Sequence, residues 1–331
     1  MSGTVSDNTS QSSGSVTAAA GGISIVSSDP TLTEGLLWYN STSNVLKVAR
    51  NVGVWSAGGD LAVTRQNSNG NNGTQSACFV SCGSGASGNL NSSEVYNGSA
   101  WSAGNVSSES KNGSATFGTS TAGVLSSGWT GSASTRTEEF DGSSFTTTGS
   151  MAQGGYHSGT TGTQTAGLSV GIYDNSSRYA SAEEYDGNSW ADGGDLAAGQ
   201  YGTTPVGTLT AALTAGGNSG SKLNTAYTYD GTSWTSITAQ SEAKQLSQGF
   251  GVQTDAVICG GDTGSRVATV QIWNGSAWST GTSMSEEKAT GQGGGTSSAG
   301  LTCAGYNDSG TIMNTTLEYD FAVTARTLSN S

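Results

Sequence analysis

The octapeptide EEYDGNSW fills residues 183–190, and relatives of it end at four other aromatic positions: EVYNGSAW at Trp101, EEFDGSSF at Phe145, YTYDGTSW at Trp234 and QIWNGSAW at Trp278. The steps between those closing aromatics are 44, 45, 44 and 44 residues, and a step of 46 back from Trp101 reaches Trp55 in RNVGVWSAGGDL. A companion aromatic recurs at 96, 140, 185, 229, 273 and 319. A fixed period of this size is the mark of a solenoid or a propeller, not of chance low complexity.

One unit, from Gly249 onward, gives the local reading. AVICGG is a short apolar run stopped by two glycines, ATVQIW is a second β-rich run, and Asn-Gly follows as a hairpin signal. That gives at least three strands per unit, and the fourth follows the closing aromatic, as in WSTGTSM or FTTTGSM, or precedes the glycine pair, as in QGFGVQT. Four short strands in about 44 residues match one propeller blade. The Asp-Gly and Asn-Gly pairs at 97–98, 141–142, 186–187, 230–231 and 274–275 predict type I′ turns. The flanking aromatics are expected between neighbouring blades, and the small residues before the second strand next to a crowded axis. No stretch carries a sustained helical stripe.

These elements resemble the kelch family of β-propellers, in which a glycine pair ends one strand, a Tyr-Asp turn follows, and a Trp opens the outer strand. Gly216-Gly217, Tyr229-Asp230 and Trp234 carry the resemblance, as do Gly260-Gly261, Trp273-Asn274 and Trp278. It covers roughly residues 50 to 320. The pair reads Ser127-Gly128, Gly171-Ile172 and Ala304-Gly305 in three units, so the array is a divergent one. The outer-strand aromatic occurs at Trp55, Trp101, Phe145, Trp190, Trp234 and Trp278, which implies an all-β, six-bladed kelch-like propeller of four-stranded blades. The expected closure has residues near 52–58 supplying the outer strand of a last blade otherwise built from 286–319. The competing closure uses FAVTART, 321–327.

The expected organisation is a flexible or partner-ordered segment 1–22, a β-hairpin-like docking arm 23–49 and the propeller 50–331. Apolar residues make up 33% of the chain, a low figure until the 52 glycines are added, because the usual range counts glycine. The formal charge of −13, with 11 Lys and Arg and none clustered, argues against nucleic acid. The first 22 residues contain neither a basic start nor an apolar run long enough for a signal peptide or membrane insertion. Cys78 and Cys82 lie four apart on one expected strand, about 13 Å by strand rise. Cys259 and Cys303 fall at equivalent positions of adjacent repeats. Neither pair is placed to bridge, and with no CxxC and no histidine partner all four read as small buried hydrophobes, with no metal and no cofactor.

The segment EGLLWYNSTSNVLKV, 34–48, resembles a stretch near the N-termini of tailed-bacteriophage fibre and other virion structural proteins, and the glycine- and serine-rich units resemble repeats in such proteins of marine phages. The resemblance implies a virion location, partners among other virion structural proteins through residues 1–49, and, by analogy with trimeric fibres, a homo-oligomer. A plain β-hairpin is the alternative for this segment.

Catalysis has a poor inventory. The kelch architecture is shared by copper oxidases that need several histidines, and this chain has only His157. DGNSW superficially matches the sialidase Asp-box but lacks its Ser-x-Asp opening, and Arg50, Arg65, Arg136, Arg178, Arg266 and Arg326 are scattered. Glu138-Glu139 and Glu183-Glu184 recur at one blade position, which suits strand-surface carboxylates better than catalytic acids. The chain is therefore read as no enzyme. Binding is expected on the face that carries the longer connections between second and third strands, with Trp129, Arg136, Tyr173, Arg178, Tyr179, Tyr306 and Asn307 as candidate contacts for a host-surface glycan or a protein. The readings carried forward are a virion appendage, either fibre or decoration protein, a free lectin-like or protein-interaction propeller, and, as a minor alternative, a propeller glycoside hydrolase.

Overall fold

A computed structural model describes residues 23–328, and every regular element among them is a β-strand. The segment 1–22 and residues 329–331 lie outside the described residues.

The repeat at 204–237 shows how local sequence makes one sheet. Thr204–Thr208 pairs antiparallel with Ala211–Ala215, from Thr204 opposite Ala215 to Thr208 opposite Ala211, which leaves Leu209 and Thr210 for the turn. Gly207 stands beside that turn at φ +103°, where a Cβ would run into the Ala211 carbonyl, so only glycine fits. Ala226–Tyr229 pairs next, and Trp234–Ile237 completes the meander. Gly159–Thr163 through Trp190–Asp192 and Gln248–Val252 through Trp278–Thr280 form two more four-stranded sheets.

The remaining repeats are joined. Ser114–Thr119, Ala122–Ser126, Thr137–Phe140 and Phe145–Thr147 form one meander, while Gln292–Thr296, Ala299–Cys303, Thr316–Thr327 and Val45–Ala57 form another. Ser68–Asn72 links their inner edges into an eleven-stranded sheet that also includes Ser24–Val26 and Leu37–Asn40. The six strands Ser68–Asn72, Ser114–Thr119, Gly159–Thr163, Thr204–Thr208, Gln248–Val252 and Gln292–Thr296 are neighbours in a closed cycle. The molecule is a β-propeller, a ring of such sheets around an axis.

The expectation of four strands in every sheet fails at one repeat. Ser68–Asn72 pairs in parallel with Ser114–Thr119, and Cys78–Ser81 keeps only Ser93–Tyr96 and Trp101–Ala103. SNGNN offers no apolar side chain to anchor it on its own sheet, and Gly70 admits the Thr116 carbonyl where a Cβ would collide. Side chains bridge the gap. Asn72 Nδ2 donates to the Phe79 carbonyl (2.9 Å), the Phe79 N–H donates to Asn72 Oδ1 (3.3 Å), and Gln292 Nε2 donates to the same carbonyl (2.7 Å).

The turn chemistry also needs correction. Among the Asx-Gly pairs only the glycines have positive φ, so these are not type I′ turns. Tyr185 pairs with Trp190 across a four-residue loop in which the Asp186 carboxylate accepts the N–H groups of Asn188 (2.8 Å) and Ser189 (2.7 Å). Asn97, Asp141, Asp230 and Asn274 act in the same way. The Asx side chain, acting as a local acceptor, replaces the left-handed backbone.

The repeat-defining aromatics meet in pairs between third and outer strands. Tyr96–Trp101, Phe140–Phe145, Tyr185–Trp190, Tyr229–Trp234, Trp273–Trp278 and Tyr319–Trp55 have ring centroids 5.0, 4.8, 5.0, 4.7, 5.2 and 4.9 Å apart. The third-strand member is buried, and tyrosines there reach the preceding repeat: Tyr96, Tyr185 and Tyr229 donate to Glu318 (2.6 Å), Glu139 (2.8 Å) and Glu184 (2.5 Å). Phe117 packs edge-on against Tyr185 and Trp190, and Phe250 against Trp55.

Only Tyr319 and Trp55 come from opposite ends of the chain. The strand Thr316–Thr327 pairs antiparallel with Val45–Ala57 from Leu317 opposite Ala57 to Thr327 opposite Lys47. The two closures weighed from sequence thus occupy one ladder, and the expected arm boundary at 49/50 falls inside a single strand. Elsewhere a loop turns the chain back after the aromatic. Here no loop joins the strands, and both run on for the pairs from Asp320 with Val54 to Thr327 with Lys47, roughly 27 Å by strand rise. Leu37–Asn40 adds antiparallel to this extension, and Ser24–Val26 adds in parallel beyond it. Asp29 ties the arm together, accepting from Lys47 (2.7 Å), Asn40 (2.8 Å) and buried Trp38 (3.2 Å).

Strand direction fixes two faces. Turns between inner and second strands, and between third and outer strands, open on one face; the other connections open on the opposite face. The arm continues past the position of a third-to-outer turn, so it leaves from the turn face.

Trp55→Ala removes the aromatic half of the closing pair and is expected to lower unfolding free energy by about 2–4 kcal/mol in urea titration. An unchanged midpoint would show that the ladder closes the ring without it.

Candidate functional site

The connection face has its own repeat. Single bridges join Asn112 to Trp129, Tyr156 to Tyr173, Tyr201 to Asn218, Gln245 to Asp262, and Ala289 to Tyr306. One position further on, the chain has positive φ at Asn67, Gly113, His157, Gly202, Leu246 and Thr290. Backbone N–H groups there form a circumferential relay: Gly113 to Asn67, His157 to Gly113, Gly202 to His157, Leu246 to Gly202 and Thr290 to Leu246, at 2.7–2.9 Å. The relay holds the outer-to-inner connections in a rim around the channel mouth.

Residues 166–185 depart from the pattern in a way that builds a site. Cys82, Ser127, Gly171, Gly216, Gly260 and Ala304 all have positive φ at the first position of the kelch-like pair, although three are not glycine. At the second position Gly83, Gly128, Gly217, Gly261 and Gly305 have positive φ too, whereas Ile172 does not. A β-branched residue resists that conformation, and the strand continues after a bulge between Val170 and Ile172. Ile172 pairs with Tyr179 and Tyr173 with Arg178, giving a hairpin longer than its counterparts. Asp174 turns it by accepting from Ser176 (2.8 Å) and Ser177 (2.7 Å), and Tyr179 Oη donates to the same carboxylate (2.7 Å).

The hairpin carries Tyr173 onto a continuous aromatic array. Centroid separations are 5.5 Å for Trp129–Tyr156, 5.4 Å for Tyr156–Tyr173 and 4.9 Å for the stacked Tyr173–Tyr201. All four rings are half-buried, and exposed Arg178 lies over Tyr173 and Tyr201 at 5.4 and 5.8 Å. Tyr156 Oη donates to Asn175 Oδ1 at 3.2 Å. Burial pushes the Tyr156 and Tyr201 hydroxyls above their usual range, so both are neutral donors near pH 7. Planar faces edged by hydroxyls and a guanidinium suit the apolar face and polar rim of a sugar ring.

The expected contacts are thus partly gathered. Trp129, Tyr173 and Arg178 share the array, and Tyr179 braces its hairpin. Tyr306 and Asn307 form another sector, where Arg266 lies 4.1 Å over Tyr306 and Asn307 Oδ1 accepts from Thr311 N–H (3.0 Å). Arg136 is engaged by Thr147 (2.6 Å) and Glu109 (4.0 Å), apart from the aromatic array. Tyr156 and Tyr201 join the array from the outer-to-inner connections, not from the second-to-third-strand loops in which contacts were expected. Their signal was GGYHSG and GQYGTT, with the tyrosines 45 residues apart in connections to the same face.

At the foot of the array, His157 meets Tyr156 edge-on (5.0 Å) and lies stacked toward Tyr201 (6.2 Å), and its Nδ1 lies 3.0 Å from Asn69 Nδ2. It borders a cavity of ≈ 300 Å³, counting solvent at its mouth, lined also by Asn69, Gly202, Thr204 and Leu246. The cavity has room for water rather than for a sugar ring. Desolvation lowers the His157 pKa to about 4, so the ring is neutral and Nδ1 accepts from Asn69.

The paired carboxylates are structural. Glu183 accepts the N–H groups of Ala152 (2.7 Å) and Gln153 (3.0 Å), and Glu138 that of Ser108 (3.0 Å), while Glu139 and Glu184 take the tyrosine hydroxyls. Glu94 accepts from Ala62 (2.7 Å) and Arg65 (2.9 Å). Among the described residues no group of three His, Cys, Asp or Glu is placed to hold a metal, and the four cysteines are free and buried. Burial pushes the Cys259 and Cys303 thiols up to about 12.

No family model matches the chain, and no curated protein matches it. Among solved structures, that of YjhT is similar with a TM-score of 0.63 at 12% identity, covering 81% of this chain and 99% of that one. At this identity the likeness speaks for the fold alone.

Because the folded His157 binds its proton more weakly than an unfolded histidine, it contributes stability above pH 6.5 that is lost as pH falls toward 4. Asn tolerates the same φ, as Asn67 does. The stability difference between the native chain and His157→Asn, followed by urea titration, is therefore expected to shift against the native chain across that window. A pH-independent difference would show an ordinary histidine pKa.

Proposed function

We propose that this chain is a virion structural appendage, a fibre or decoration protein built on a divergent kelch-type propeller of six blades, with an arm that docks on the particle and a face that binds host-surface glycan. The observation that carries the reading is polarity. Two features that break the repeat, the run-on arm and the extended hairpin, stand on opposite faces of the ring. Counting six blades takes the eleven-stranded sheet as two blades joined by the inner strand of a third, in keeping with the cycle of six inner strands.

The arm suits docking because, among the described residues, its outermost strand is the short parallel edge Ser24–Val26, whose Ile25 is 73% exposed and whose outer backbone groups can accept another strand. Residues 1–49 are its proposed contact with other virion proteins. The aromatic array suits glycan by stacking, and the chain acts as a binding protein rather than a hydrolase because its recurring carboxylates are committed to backbone and tyrosine donors. A free lectin-like propeller is the second reading, since the array does not depend on the arm.

Peptide mass spectrometry of purified particles, scaled to the major capsid protein, is expected to find the chain as an abundant component. Its absence from particles while present in cells or medium would move the assignment to the free lectin. On either reading Tyr173→Ala is expected to weaken glycan binding at least tenfold, with the melting temperature little changed.

A further inference from the structure

We infer that the aromatic array takes an acidic glycan, one bearing carboxylate or sulfate groups, and that Arg178 selects it; this rests on the glycan-binding reading above. Other cations of the same face are committed: Lys222 to Asp262 (3.1 Å), Arg266 to Asp308 (3.6 Å) and Arg136 to Glu109 (4.0 Å). Arg178 is exposed, and among the described residues no salt bridge joins it to a carboxylate. The nearby acid of its own hairpin, Asp174, is occupied by Tyr179 Oη and the N–H groups of Ser176 and Ser177, with Tyr179 foremost in holding its carboxyl below the usual range.

Position strengthens the case. Arg178 lies opposite Tyr173 in the last pair of the extended hairpin, the one repeat whose second glycine is replaced by Ile172. The Arg178 Cζ lies 5.4 and 5.8 Å from the ring centres of Tyr173 and Tyr201, and an exposed guanidinium beside aromatic rings can take a carboxylate or sulfate through two parallel hydrogen bonds. A sugar stacked on Tyr173 or Tyr201 would bring an acidic substituent within reach of that guanidinium. On a chain of net charge −13, an anionic ligand is repelled at long range, so a free cation on the array acts as a local selector rather than as part of a general positive field.

The test is calorimetric titration of the full chain and its Arg178→Gln variant with three matched oligosaccharides: oligogalacturonate, its neutral methyl ester, and a sulfated galactan of equal length. At least one acidic probe is expected to bind the native chain at least tenfold more tightly than the neutral ester and to lose about tenfold in the variant, while the neutral probe is unaffected; which acidic probe wins identifies the group. Equal affinity for neutral and acidic probes, or an acidic preference untouched by Arg178→Gln, overturns the inference but leaves the glycan reading standing. Binding of none of the three overturns the inference, and failure across a wider neutral and acidic array would end the glycan reading too. Arg178 is exposed, so an unchanged melting temperature checks that the variant folds.

Discussion

A ring of repeats has one seam that local sequence cannot make, and the rest of the molecule depends on it. Here the seam is the ladder between Val45–Ala57 and Thr316–Thr327, with Trp55 against Tyr319 at the spacing found in the other aromatic pairs. Next to it Arg65, fully buried, donates to Glu94 (2.9 Å) and to the carbonyls of Cys82 (3.0 Å) and Ser92 (2.9 Å), while its own carbonyl accepts from Gly305 (2.9 Å). Closing the ring brings together groups more than two hundred residues apart, a loop-closure entropy that the ladder, the aromatic pair and the Gly305 to Arg65 backbone bond offset together. With the seam formed, each inner strand has another inner strand beside it on both sides, although Gly159–Thr163, Thr204–Thr208 and Gln248–Val252 each pair by hydrogen bonds with one strand only.

The same polar devices recur under the connection face. Lys111, Lys244 and Lys288 are fully buried at equivalent positions, each two residues after a glutamate, and burial lowers all three pKa values, that of Lys244 to about 8. Lys111 and Lys288 have Glu109 and Glu286 at 3.7 and 3.3 Å; Lys244 Nζ has no hydrogen-bond partner. Gly83, Gly217 and Gly261 donate backbone N–H groups to the carbonyls of Lys111, Lys244 and Lys288 (2.8–2.9 Å), so each connection is stapled to the preceding sheet. Such buried ions are costly to desolvate and serve to fix register more than to add stability.

A ring of identical units has no distinguished position, and this one is broken on both faces. The missing turn at the seam lets a pair of strands run on from one face, and Ile172 in place of glycine accompanies a longer hairpin on the other. The second change is small in sequence, yet it sets Tyr173 on Tyr201 and places Arg178 over both.

The period of the aromatics and the Asx-Gly pairs made the propeller legible, because each repeat must bury the same faces against its neighbours and hydrophobic spacing records that directly. Trp129, Tyr173 and Arg178 were legible as candidates because second-to-third-strand loops must open on one face. Other features depend on contacts between residues far apart in sequence. The displaced strand Ser68–Asn72, the occupation of Glu138 and Glu183 by backbone donors, and the meeting of Tyr156 and Tyr201 with Tyr173 are of this kind. Turn type escaped as well, because Asp and Asn can make a tight loop either by a left-handed backbone or by a side-chain acceptor, and the same two letters encode both. Periodicity is a property of the chain, and so it determined the fold class; the site is a property of the ring's curvature, which brings loops from successive repeats side by side, and only the tertiary structure decided it.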